Sequence, residues 1–196
     1  MDQRIAELLG RIGELEAEVE RELVETRRRF GVEFAQGKAR FEKSVAARQR
    51  RFRRGLVRLV REASPLIALT APVVYSLIVP LVLLDLTVTI FQKICFPIYG
   101  LEPARRSDFV IVDRHRLPYL NLLEKVNCAY CGYGNGVIAY AREVAGRTER
   151  YWCGIKHARY AKGRHPSYYR FPDYGDASAW RKQEDDRRAG KEDDEA

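Results

Sequence analysis

Between Ala63 and Leu84 not one residue carries a charge, and the run ASPLIALTAPVVYSLIVPLVLL meets the length of about twenty residues that a bilayer span requires. After Asp85 the apolar character continues through LTVTIFQKICFPIYGL, broken by Gln92 and Lys93. As one helix, Ser64 to Ile98 would measure roughly 50 Å, well over a hydrocarbon core of roughly 30 Å. Two full crossings would need about forty residues and a turn. The length fits a re-entrant or hairpin insertion broken at Pro72 or Pro80, or one span followed by an interfacial stretch. Both flanks are basic, with Arg48, Arg50, Arg51, Arg53, Arg54, Arg58 and Arg61 upstream and Lys93, Arg105, Arg106, Arg114 and Arg116 downstream. The positive-inside rule then favours a membrane dip with both ends cytoplasmic over a single crossing, and either over a buried soluble helix pair. Asp85 is costly inside such a segment: it marks a helix end at headgroup depth or faces a functional partner.

The chain before this run reads as helix. Ile5, Leu8, Ile12, Leu15 and Val19 follow a heptad seam, and Phe30, Phe34, Phe41, Val45 and Phe52 continue near one face. One helix from about Asp2 to about Glu62, interrupted near Gly31 and Gly37, is the expectation. Its charge changes sign: residues 1–26 carry eight acids against three bases, and residues 27–61 carry thirteen bases against two acids. The acidic half suits self-association or a partner helix, and the basic half suits a membrane surface with anionic lipids. The net charge of +8 also raises nucleic acid as a partner, but no base-reading motif accompanies the arginines. The opening MDQRIAELLG lacks the apolar core of an export leader, so reduced thiols are expected.

Three of the four cysteines fall between Asn127 and His157, in the order C-x2-C, twenty-one residues, C-x3-H. Cys128, Cys131, Cys153 and His157 make a tetrahedral Cys3His set with no open position, which points to structural zinc or, in the same ligands, to an iron–sulfur cluster. Buried free thiols and a redox dithiol at Cys128 and Cys131 are the alternatives. Phe109 to Val112 suits a short strand. A helix opening at Leu117 and Pro118 would deliver Cys128 and Cys131 into a turn built by Gly132, Gly134 and Gly136, and a second helix from about Val137 would return Cys153 and His157. Asp113 and His115 form a weaker acid–imidazole candidate.

The run DRHRLPYLNLLEKVNCAYCGYGNGVIAYAREVAGRTERYWCGIKHARY, Asp113 to Tyr160, resembles uncharacterised bacterial membrane-associated proteins carrying a CxYCGYxNG segment followed by WCxIKHA. The resemblance implies that Cys128, Cys131, Cys153 and His157 act as a unit in a bacterial inner-membrane setting, and it carries no activity.

The expected architecture is mainly α. A charged amphipathic helix over 1–62, coiled-coil-like and then polybasic, precedes a Pro-broken membrane segment over 63–101. A small helical Cys3His module over 102–180 and a disordered charged tail over 181–196 follow. The leading functional expectation is a membrane-anchored scaffold or partner-binding protein with its module on the cytoplasmic side. A membrane electron carrier and a monotopic enzyme on a lipid-linked substrate, using Asp85 or Asp113 with His115, are the other two.

Overall fold

The computed structural model describes residues 3–35, 38–41, 43–55, 61, 64–159 and 161–188. The protein is mainly helical. It divides into two compact units, one formed by the chain up to Val82 with Ser107–Val137, the other by Leu83–Arg106 with the chain from Ile138 onward.

In the first unit, α1 (Gln3–Arg29) carries the heptad seam on a surface that nothing among the described residues covers: Leu8, Ile12, Leu15 and Val19 are each at least half exposed. Arg27, Arg28 and Arg29 stand in its last turn, where cations oppose the carbonyl end of the helix dipole. The interruption expected near Gly31 is present. Gly31 takes φ +67, a left-handed conformation that costs a side-chain-bearing residue steric energy, and a Cβ there would also lie 2.8 Å from Val45 Cγ2. The helix does not then resume as expected. An antiparallel hairpin follows, β1 (Val32–Ala35) with β2 (Lys38–Phe41), pairing Val32 with Phe41 and Ala35 with Lys38. β-branched and aromatic residues at 32, 34 and 41 favour strand over helix once the glycine has turned the chain. Helix α2 (Lys43–Gln49) and a 3-10 turn at Arg50–Phe52 complete this part, while 56–60 of the expected polybasic helix lie outside the described residues.

The apolar run forms α3 (Pro65–Ser76) and α4 (Ile78–Tyr99), with Leu77 between them. Pro80 explains the break. It has no N–H to offer the Ser76 carbonyl and its ring crowds that carbonyl, so the turn before it tightens and Leu77 N–H donates to Val74 O at 3.3 Å.

The largest departure from the sequence reading is α6 (Leu122–Trp152), which follows a short α5 (Arg106–Phe109) and a 3-10 turn at Arg114–Arg116. Residues 110–113 carry no strand. Where two helices and a glycine turn were expected, one helix of 31 residues runs through Gly132, Gly134 and Gly136. A reciprocal cap starts it: Glu124 N–H donates to Asn121 Oδ1 at 3.0 Å and Asn121 N–H donates to Glu124 Oε2 at 2.8 Å. Each helical glycine costs about 1 kcal/mol against alanine. Close packing offsets this. A Cβ on Gly136 would meet Phe109 O and Val110 Cα at 2.7 Å, and one on Gly132 would meet Ile111 O at 3.1 Å, so the backbone of 109–111 lies directly on this face of α6. A Cβ on Gly134 would meet Leu81 Cδ1 at 3.1 Å. Tyr130 hydroxyl donates to Val74 O at 2.6 Å, and Tyr75 hydroxyl donates to Asn127.

In the second unit, Tyr140 and Val144 lie four apart on one face of α6, and Phe96, Leu101, Ala104, Tyr168 and Phe171 are the other buried apolar residues described there. His165 is buried against Gly146, where a Cβ would come within 2.6 Å of the imidazole, and its Nε2 lies 3.0 Å from Glu149 Oε2. The first half of the expected disordered tail is ordered. It belongs to α7 (Ala177–Arg188), while 189–196 lie outside the described residues. Asp176 caps α7: the backbone N–H of Ala179 and the hydroxyl of Ser178 hold its carboxyl below the ordinary value of 3.8. Arg187 adds an anchor over the Tyr151 ring at 5.0 Å.

A pair of glycine substitutions tests the packing. Gly136→Ala should destabilise the protein by about 1–3 kcal/mol despite its better helix propensity, because the new methyl meets backbone that cannot move aside. Gly10→Ala, with nothing within 4 Å, should instead stabilise α1 by about 1 kcal/mol. Thermal melts followed by circular dichroism in detergent report both signs.

Candidate functional site

Asp85 and Gln92 lie seven residues apart, two helical turns, and therefore share a face of α4. Both are buried, with Phe96, in a helix many of whose other positions, among them Leu83, Leu86, Ile90 and Ile94, are exposed. Asp85 stands in the helix interior, not at a helix end. A carboxylate there needs a cation, and the chain brings one back. After Tyr99 the helix closes on Gly100 at φ +69, with Leu101 N–H donating to Phe96 O at 2.9 Å. The following residues run back along α4. Ala104 N–H donates to Gln92 Oε1 at 2.8 Å and Gln92 Nε2 donates to Ala104 O at 3.1 Å, so the side-chain amide pairs with the returning backbone as a second strand would. Gln92 Nε2 also donates to the Tyr140 hydroxyl at 3.2 Å. Two residues on, Arg106 grips Asp85 with both prongs, Nε on Oδ1 at 2.8 Å and Nη2 on Oδ2 at 2.6 Å.

An aromatic group closes the end of the same helix. Tyr99 stacks on Tyr151 at 4.9 Å and meets the edge of Trp152 at 5.5 Å; Trp152 is 55% exposed. Amphipathic rings at the end of an apolar run are the composition of a membrane–water interface.

The sequence-predicted ligands are placed differently from the clasp. Cys128 and Cys131 sit within α6, half-buried and exposed respectively; Cys153 follows its last residue, and His157 lies beyond, both exposed. At 1.5 Å per residue, α6 puts about 33 Å between Cys131 and Cys153, whereas thiolates sharing one zinc stand roughly 4 Å apart. The continuous helix, where a glycine turn was expected, is what separates the two pairs. Among the described residues no three His, Cys, Asp or Glu side chains are grouped to hold a metal ion. Cys95 is a free, half-buried thiol on α4. His115 stands in the 3-10 turn with Nδ1 buried and without a hydrogen-bond partner among the described residues, so Asp113 does not orient it through that nitrogen.

Sequence reasoning missed Arg106 as the partner of Asp85. No spacing rule links positions twenty-one residues apart across a chain reversal. It also missed the Asn121–Glu124 cap, which the pattern Asn-x-x-Glu does announce. No family model, curated protein or solved structure matches this chain.

Two measurements probe this site. Asp85→Asn should cost about 1–3 kcal/mol, less than the loss of a fully buried pair because the Arg106 side chain is 42% exposed. Combined with Arg106→Gln it should cost clearly less than the sum of the single changes, as read by a double-mutant cycle on detergent melts. Cys131→Ser should leave helix content unchanged and shift stability by under about 0.5 kcal/mol, the range of an exposed substitution. Unfolding of that variant would restore the shared-metal arrangement.

Proposed function

We propose that the protein is a membrane-anchored scaffold, held in the bilayer by Ala68–Tyr99 and offering its N-terminal helix to a second helix. One observation carries the reading. Ala68–Tyr99 is the run among the described residues that is long and apolar enough to cross a membrane, and the apolar side chains of its first half, among them Leu69, Val73, Val79 and Leu83, are exposed. In water that surface would be strongly unfavourable, at about 25 cal/mol for each square ångström left exposed. In lipid it costs nothing, and the one acid on it already has its cation.

The heptad face of α1 supports the partner-binding half of the proposal, because Leu8, Ile12, Leu15 and Val19 find no cover within the described chain. Basic flanks on both sides of the run support a cytoplasmic setting at a bacterial inner membrane rich in anionic lipid. The Asp85–Arg106 fork, with both carboxylate oxygens occupied, supports an anchoring role for Asp85 over proton transfer.

Extraction of membranes with alkaline carbonate tests the proposal. The full chain should remain in the pellet, and Ile12→Asp should lower the mass of the detergent-solubilised complex without releasing the chain from the membrane. Recovery of wild-type protein in the carbonate supernatant would sink the anchoring reading; an unchanged mass for Ile12→Asp would sink the role of α1.

A further inference from the structure

The side chains that flank the exposed seam of α1 are unevenly charged. With Ile5, Ile12 and Val19 at the first core position of each heptad and Leu8, Leu15 and Glu22 at the second, Arg4, Arg11, Glu18 and Glu25 follow one edge of the seam. Leu9, Glu16 and Leu23 follow the other. Gly10 and Gly13 fall on the outer surface, where a Cβ would meet nothing within 4 Å, so they do not notch the seam. The charge is also polarised along the helix. Residues 4–13 carry Arg4 and Arg11 against Glu7, whereas residues 14–25 carry six acids against Arg21. Two of those acids are matched inside the helix, Glu20 by Arg27 at 3.0 Å and Glu25 by Arg29 at 3.1 Å. Arg11 and Glu18 are exposed on one edge and stand about 10 Å apart along the axis, too far to pair within one helix.

A second helix has to answer that pattern. A parallel copy sets every seam residue opposite itself, so Glu22 meets Glu22 in the seam and the acid-rich halves lie side by side. Its edges join Arg11 to Glu16 but leave Glu18 facing Leu23. It also brings the two Arg27–Arg29 clusters together. An antiparallel copy lays the less acidic end beside the acidic one. In the register that sets Ile12 against Leu15, Leu8 meets Val19, and Glu22 meets Ile5 at the end of the seam, where its carboxylate reaches water. Along the edge Arg11 faces Glu18 of the other copy, twice over by the two-fold symmetry. The arginine clusters then stand roughly 40 Å apart, well beyond a Debye length of about 8–10 Å. A shift of one heptad in either direction loses this match: one sets Arg11 against Arg11, the other Glu18 against Glu18.

We propose that α1 pairs with α1 of a second copy of this chain, antiparallel and in that register, with two Arg11–Glu18 ion pairs fixing the direction. The inference rests on the reading of α1 as a partner-binding helix and names the partner. Five apolar seam residues from each copy cover one another, and the charges on the edge choose among the arrangements that would cover them equally well.

Full-length protein in neutral detergent is compared as wild type, Arg11→Glu, Glu18→Arg and the double reversal, with mass followed by light scattering across a dilution series. Circular dichroism checks that these exposed substitutions leave the helix content unchanged. Each single reversal should weaken the dimer about tenfold, because two attractive contacts become two repulsive ones. The double reversal should dissociate like wild type, and so should an equimolar mixture of the two single variants, since each reversed charge then meets its opposite. A double reversal as weak as Arg11→Glu alone overturns the antiparallel pairing; a parallel dimer would give that result through Glu16. Dissociation that none of the reversals alters overturns it as well. Differently tagged wild-type chains that never co-purify after mixing overturn self-pairing. If Ile12→Asp still lowers the mass of the complex in that case, α1 holds a different protein and the broader reading of its role stands.

Discussion

A carboxylate in the middle of an apolar helix has to be neutralised, and in this chain the cation that does so arrives from twenty-one residues downstream. The Asp85–Arg106 fork fixes more than a charge. For Arg106 to reach Asp85, the chain must reverse at Gly100 and lie along α4, which puts Ala104 beside Gln92. The Gln92 amide then satisfies backbone groups that would otherwise be orphaned in an apolar setting, where each unpaired group is worth roughly 2–7 kcal/mol. One buried acid thus organises a helix, its stop signal and the segment that follows.

The glycines of α6 answer a related constraint. Backbone laid directly on a helix needs positions without a Cβ, and Gly132 and Gly136, four apart, supply them on one face. Helix propensity argues against glycine here and close packing argues for it. The packing prevails, since Tyr130, Asn127 and Leu81 also hold the helix at this level. The same continuity of α6 removes the glycine turn that the sequence suggested.

Much of the plan was legible in the residues. The charge-free run from Ala63 forms the expected apolar helices, broken between Pro72 and Pro80, and Gly31 interrupts the N-terminal helix where its glycine suggested. Other features were misread for identifiable reasons. The hairpin at 32–41 shares its aromatic spacing with a helix face, and short apolar patterns do not separate the two. Gly132, Gly134 and Gly136 look like a turn because glycine serves turns and close packing alike, and only the neighbour at 109–111 distinguishes them. The tail from 181 has the charge of a solvated segment, but Asp176 and Arg187 tie its first residues down.

The sequence by itself determined what repeats locally: an apolar run of bilayer length, a heptad face on α1, a cap signal at Asn121 and two polar residues, Asp85 and Gln92, seven apart in the apolar run. These follow from helix geometry and solvation, which act over a few residues. The tertiary structure decided which distant groups meet: Arg106 on Asp85, Ala104 on Gln92, and Phe109 on Gly136. Such meetings depend on where the chain reverses and on which surfaces can approach, and no periodicity encodes either.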